Sequence, residues 1–401
     1  MSSGVGIVKG VEVPPPEADY TADPAELYFD LAFVFAFNRL VYLLVHHPDW
    51  TGFGEFALLM TMIWLPWTQF TWSANAVPGN ARPVRALFML ATVASIPMAG
   101  AVTEALDSEG NGGPVFAISL SVILGIALAT MIFGLESGTD FRGSIVRYSL
   151  NNWAAIVLMV VGGFLDRTPR IVIWLIAIGV IVAGTVSAGG REWLIRPGHF
   201  AERHGLITII ALGELIVALG LPVVETLAES GELPASTIVA LVAAGTFAGL
   251  MWWSIFDRPL RALEHRHEAH DDGAERGRFA RDVYTYAWLP IVGGIVLAAA
   301  GLEELVLHPD DPSDRAFRWM FIGGTVMTMA GVGIAILRAF TKVAIERSVA
   351  AASLIAIGLV GGSLDGLMLI IVVDLVLFTM LVAEHLRVEW RYRDELQPAS
   401  A

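Results

Sequence analysis

Gly366-Leu-Met-Leu-Ile-Ile-Val-Val-Asp-Leu-Val-Leu-Phe-Thr-Met-Leu-Val-Ala-Glu-His-Leu386 decides the fold class. A helix of this length crosses a hydrocarbon core, which needs about 20 apolar residues. One carboxylate, Asp374, sits eight residues into the run, and a second, Glu384, lies near its end. Runs of the same kind recur throughout the chain that precedes it. Twelve candidate spans lie near 27–46, 53–72, 84–104, 114–134, 145–165, 169–188, 203–221, 236–256, 284–304, 317–337, 346–362 and 366–386. The fold class is therefore all-α: a polytopic membrane protein of about twelve transmembrane helices.

Composition agrees. The 401 residues are 55% hydrophobic and only 16% charged, against about 25% charged in soluble domains, and mean hydropathy is +0.65. The net charge of −14 argues against nucleic acid as a partner. The absence of cysteine excludes disulfides, thiolate metal sites and thiol nucleophiles. The first 26 residues are acidic and contain Pro14-Pro15-Pro16, unlike a cleavable signal.

Basic residues set the expected orientation. Twenty of the twenty-five fall in the tails and alternate loops on one side, whereas Arg167, Arg170, Arg315 and Arg318 fall on the other and Arg39 lies within a span. Both termini are expected on the cytoplasmic side of the cell membrane.

The chain also reads as a duplication. Glu26-Leu-Tyr-Phe-Asp30 opens the first span and Glu202-Arg-His-Gly-Leu206 the seventh, and an offset of 176 then superposes Asn38 on Glu214. Trp64, Trp67 and Trp72 end span two as Trp252 and Trp253 end span eight, and Pro97 matches Pro290. Arg147 with Gly162-Gly163 matches Arg347 with Gly361-Gly362. The expected organisation is an acidic tail 1–26, a six-helix half 27–188, a linker 189–202, a second half 203–386 and a tail 387–401. Six spans per half is even, so the halves should insert in parallel, with a site at their interface.

Ionisable groups at membrane depth are costly and mark sites or helix pairing. Asn38 and Glu214 fall near the midplane. Asp30 lies one turn beyond Glu26, and Arg39 is the expected counter-ion of Asp30 or Glu214. These four, Asp30, Asn38, Arg39 and Glu214, are the candidate substrate or ion site. Asp374 is a second candidate carrier or a structural partner. Asn151 and Asn152 are expected to join helices, and the tryptophans to anchor at interfaces. The run Glu264-His265-Arg266-His267-Glu268-Ala269-His270-Asp271-Asp272 has metal-ligand residue types. Its setting, a mixed-charge loop, favours a solvated segment over a metal site.

The stretches Glu26-Leu-Tyr-Phe-Asp-Leu-Ala-Phe-Val-Phe35 and Glu202-Arg-His-Gly-Leu-Ile-Thr-Ile-Ile-Ala-Leu-Gly-Glu214 resemble the two signatures of the bacterial low-temperature-requirement protein A family, as does Leu289-Pro290 with Gly293-Gly294. The resemblance implies a multi-pass prokaryotic membrane protein linked by name to growth in the cold. It carries over the motif positions Glu26, Asp30, Glu202, Arg203, His204, Gly205, Gly213 and Glu214, but no catalytic residue and no cofactor.

No Walker loop, His-Glu-x-x-His or Gly-x-Ser-x-Gly motif occurs. The leading expectation is a proton-linked secondary transporter or permease for an unknown small molecule or ion within the lipid bilayer. A membrane-embedded enzyme acting on a lipid or isoprenoid is one alternative. A non-transporting sensor or structural protein is the other.

Overall fold

The computed structural model describes residues 4–5, 12–13, 21–77, 79, 81–134, 140–188 and 195–396, without side chains at 134, 140–144, 146–147, 221–222, 225, 229 and 388–396. Most of the N-terminal tail, the first part of the 189–202 linker with Arg191, and the end of the C-terminal tail lie outside the described residues. So do the side chains of Arg142, Arg147, Glu225, Glu229, Arg391 and Arg393.

Apart from a two-residue antiparallel pairing of Gly4–Val5 with Glu12–Val13, regular structure in the described residues is helical. The helices are α1 (Pro24–His46), α2 (Trp50–Ala76), α3 (Arg82–Gly100), α4 (Gly112–Gly134), α5 (Asp140–Gly163), α6 (Arg167–Ala188) and α7 (Pro197–Ser230). They continue as α8 (Ala235–Phe256), α9 (Pro259–Glu268), α10 (Gly273–Phe279), α11 (Trp288–Leu307), α12 (Arg315–Phe340), α13 (Ile345–Val360) and α14 (Gly366–Leu396). A π-helical stretch, Ala280–Ala287, joins α10 to α11.

Ten helical stretches among the described residues are long and apolar enough to cross a membrane. The expected twelve included two more, α2 and α5. In α2 the polar residues Thr68, Gln69, Thr71, Ser73 and Asn75 lower the hydropathy, yet all five are buried inside the protein. In α5 only Tyr148–Gly163 is a described apolar stretch, and it is short.

Local chemistry explains the helix boundaries. Asp23 caps α1 by accepting from Ala25 N, Pro24 occupies the first turn, and Glu26 Oε1 accepts from Asp23 N at 3.2 Å, completing a capping box. Asp49 caps α2 through Thr51 N and Gly52 N. Gly231, at φ 76°, ends α7 in the left-handed conformation that glycine adopts without penalty.

The most interior span is the one containing α11: 78% of its apolar window is buried, against 28% for α6 and α13. It packs on α12, α7, α1, α8 and α14. Its contact with α12 is unusually close. A Cβ on Gly294 would lie 2.5 Å from Gly324 O, and one on Gly324 would lie 2.4 Å from both Ala298 N and Gly294 O. Small residues there let two backbones touch.

The His-rich segment is largely solvent-exposed, as expected for a mixed-charge segment, except at His267. Its first five residues, 264–268, end α9 and the rest form the connection to α10, with His267 fully buried against Phe279 and Tyr284. Among the described residues, no group of three or more His, Asp or Glu side chains is placed to hold a metal ion.

Candidate functional site

The site is built on α1 and α7, which run side by side in the same direction. Glu26 meets His199 and Arg203, Asp30 meets Arg203, and further along both helices Asn38 meets Glu214. Periodicity explains the pairing. Glu26 and Asp30 are one turn apart on one face of α1, and His199 and Arg203 are one turn apart on one face of α7.

Near the N-terminal ends of these helices lies a fully buried ionic network. Arg203 Nη2 donates to Asp30 Oδ1 at 2.7 Å, and Arg203 Nη1 lies 3.3 Å from Glu26 Oε2. His199 Nε2 donates to the same Glu26 oxygen at 3.0 Å. From α2, Trp67 Nε1 donates to Asp30 Oδ1 at 2.8 Å. Glu26, Asp30, His199 and Arg203 are each 0% exposed.

The second ring nitrogen of His199 meets α2. Asn75 is oriented by Arg196, whose N–H donates to Oδ1 while Asn75 Nδ2 donates to Arg196 O, each at 3.0 Å. The Asn75 amide therefore presents a donor, 3.4 Å away, to His199 Nδ1. The other ring nitrogen, Nε2, faces Glu26. Within this network two carboxylates face one guanidinium, with the buried Arg196 at the N-cap of α7. Asp30 Oδ2 and Arg203 Nε have no hydrogen-bond partner among the described residues. Taking such charges out of water costs several kcal/mol per ion, so a proton added to or removed from this network alters its balance sharply.

Beside the network, His204 is enclosed by aromatic rings. The Trp67 and Tyr284 ring centroids lie 5.1 and 5.0 Å away, and those of Phe200, Trp288 and Trp64 about 6 Å away. His204 Nδ1 donates to Phe200 O at 2.8 Å, leaving Nε2 of the neutral ring as an acceptor without a described partner. Tyr284 belongs to the π-helical stretch, a feature frequent at functional sites. Trp64 Nε1 and Trp72 Nε1 tie that stretch to α2 through Thr285 O and Thr285 Oγ1.

Eleven residues beyond Arg203, about 16 Å along α7, Glu214 Oε1 accepts from Asn38 Nδ2 at 2.8 Å. Glu214 is 0% exposed, and its Oε2 has no partner among the described residues.

The structure thus brings together Glu26, Asp30 and Arg203 with His204 at their side, and separately joins Asn38 to Glu214. Arg39 is not part of either group, contrary to the sequence reading. It bonds Thr103 Oγ1 at 2.5 Å, lies 3.8 Å from Glu104, and stacks over Tyr42. One residue past Asn38 is 100° further around the helix, which turns Arg39 toward the end of α3. The counter-ion of Asp30 is Arg203. Glu202 accepts from Ala22 N at 2.8 Å. Gly205 lies beneath Leu260 and Phe256, whereas the space beside Gly213 is open. Asn152 donates to Tyr148 O within α5, and the Asn151 side chain lies against Gly184 of α6. Asp374 sits elsewhere, between α8 and α14.

Trp64 and Trp67 also depart from the expected interfacial role. Both are buried hydrogen-bond donors of the core, whereas Trp252 and Trp253 are 45% and 55% exposed. The sequence reading missed His199, although its one-turn spacing from Arg203 was visible. Asn75 carried no comparable signal.

The family model for the bacterial low temperature requirement A protein (LtrA) matches residues 21–382, and the chain belongs to that family. An uncharacterized protein, RA0937, of Rhizobium meliloti (strain 1021) is 29% identical over 318 residues, covering 76% of this chain and 75% of its own length. No solved structure matches.

Proposed function

We propose that this member of the low temperature requirement A family is a proton-linked secondary transporter or permease, with its polar site along the seam between two parallel six-helix halves. One observation carries the reading. Glu214, fully buried at mid-helix, accepts a single hydrogen bond among the described residues, and its donor is Asn38, the residue that the 176-residue offset makes its counterpart. A residue that touches its own repeat equivalent lies on the axis relating the two copies.

Packing supports the duplication. The pairs α1–α2, α1–α3, α3–α4, α4–α5, α5–α6 and α2–α6 have counterparts in α7–α8, α7–α11, α11–α12, α12–α13, α13–α14 and α8–α14, whereas α2–α4 has no comparable α8–α12 packing. On this correspondence α2 and α5 also cross the bilayer, for twelve spans. The 27 residues of α2 reach about 40 Å at 1.5 Å per residue, and protein neighbours surround its polar groups. Two of the four basic residues on the sparse side, Arg170 and Arg318, are buried and occupied by backbone carbonyls: Ala105 O, Asp107 O and Leu165 O for the former, Ser313 O and Gly358 O for the latter. Their structural employment strengthens the charge asymmetry, which supports a cytoplasmic position for both termini.

The chemistry fits alternating protonation. Glu214 accepts or releases a proton at mid-helix, and the network of Glu26, Asp30, His199 and Arg203 rebalances its charges nearer the helix ends. Acidic side chains inside membrane spans commonly serve proton relays. In proteoliposomes enclosing a pH-sensitive dye, the parent protein should dissipate an imposed pH gradient when its solute is supplied from a metabolite mixture. Glu214→Gln, which keeps the shape and the Asn38 bond but cannot exchange a proton, should reduce that flux to background. Equal flux in both proteins, or none in the parent under any gradient, would sink the reading.

A further inference from the structure

The carboxylate that interrupts α14 lies away from the seam. Asp374 is eight residues into α14, about 12 Å from its start, and borders a groove of about 360 Å³ between α8 and α14. Val239, Val242, Ala243 and Thr246 form one wall, and Leu375 and Phe378 flank Asp374 on the other. Val239, Val242, Leu375 and Phe378 are 50–66% exposed, so the groove opens on the outward face of the helix bundle.

Asp374 itself is only 9% exposed, and its Oδ1 has no partner among the described residues. The one hydroxyl in the groove is committed elsewhere, because Thr246 Oγ1 donates to Val242 O at 2.9 Å. No Lys, Arg or His among the described residues makes an ion pair with Asp374. A buried carboxylate in hydrocarbon is costly unless it is paired.

We propose that this groove is a lateral binding site for a lipophilic cation. Charge complementarity selects the ligand class: a protonated amine or related cation on an apolar body. The body fills the groove, and an N–H of the cation donates to Asp374 Oδ1. The groove volume lies within the range of small-molecule sites, about 300–1,000 Å³. Such a compound partitions into the bilayer and enters from the side. A neutral alcohol of the same shape gains the burial but not the ion pair. This site is independent of Glu214 and of the transport reading.

The probe is rhodamine 6G, a planar apolar cation with N–H donors, titrated by fluorescence anisotropy against the full chain in phosphatidylcholine nanodiscs. The parent should bind it saturably. Asp374→Asn should bind at least about tenfold more weakly, the loss expected for one charge-assisted hydrogen bond. Replacing a buried carboxyl whose Oδ1 has no described partner with the isosteric amide should leave its folding intact. Ala243→Trp, which keeps Asp374 but fills the groove, should also abolish binding. Unsaturable binding by the parent, or Asp374→Asn binding within about twofold of it, overturns the proposal. So does cross-linking that shows a second copy covering this face.

Discussion

Replacing Arg203 with Met should cost about 3–5 kcal/mol of stability, the loss typical of removing one partner from a buried ion pair. Arg203 is the guanidinium that meets both Glu26 and Asp30, and all three side chains are wholly enclosed. Methionine fills comparable space but leaves two carboxylates facing each other in an apolar interior. The measurement is unfolding of the purified variant in nanodiscs, by heat and by denaturant. The diagnostic step is a second substitution. Arg203→Met combined with Asp30→Asn removes one stranded charge and should regain a substantial part of the loss, whereas Asp30→Asn alone should destabilise. Additive losses would show that Arg203 acts through packing and not as the counter-ion of Asp30.

Gly324→Ala should be nearly as damaging, for a reason unrelated to charge. The new methyl group would lie 2.4 Å from Ala298 N and Gly294 O, both backbone atoms that cannot rotate away. Helices α11 and α12 would have to separate along the most interior packing surface. Overpacking costs about 1–3 kcal/mol where side chains can adjust, and a clash with backbone belongs at or above the top of that range. Gly213→Ala is the control. Nothing lies within 4 Å of a Cβ there, and alanine is the better helix former by up to about 1 kcal/mol. Thermal unfolding should therefore place Gly213→Ala at or above the parent and Gly324→Ala well below it. The reverse order would refute the close-contact account of the α11–α12 interface.

Much of the candidate site was legible because helical periodicity is local. The spacing of Glu26 and Asp30 fixed them on one face, and the repeat offset paired Asn38 with Glu214 before any contact was visible. Arg39 was misassigned because depth alone was used. Its height suits Asp30 or Glu214, but its angle around α1 points it to Thr103 and Glu104. The tryptophans of α2 were misread for a related reason. Composition cannot tell a ring at the bilayer surface from a ring donating to a buried carboxylate, and Trp67 is the second kind. His199 was overlooked because a lone histidine near a helix start carries little weight until its Glu26 partner is known.

The sequence by itself determined that this chain is helical and apolar, where most helices begin and end, and which acids and bases are carried to membrane depth. Those properties follow from runs of neighbouring residues, caps and a 3.6-residue period, all readable along one strand of text. Only the tertiary structure decided which cation answers Asp30, that α2 keeps its polar face inward, and that Asp374 borders an outward groove instead of the α1–α7 contact. These depend on the rotation of each helix about its own axis and on which neighbour it meets. Both are set by close packing between segments more than a hundred residues apart, and no local pattern encodes them.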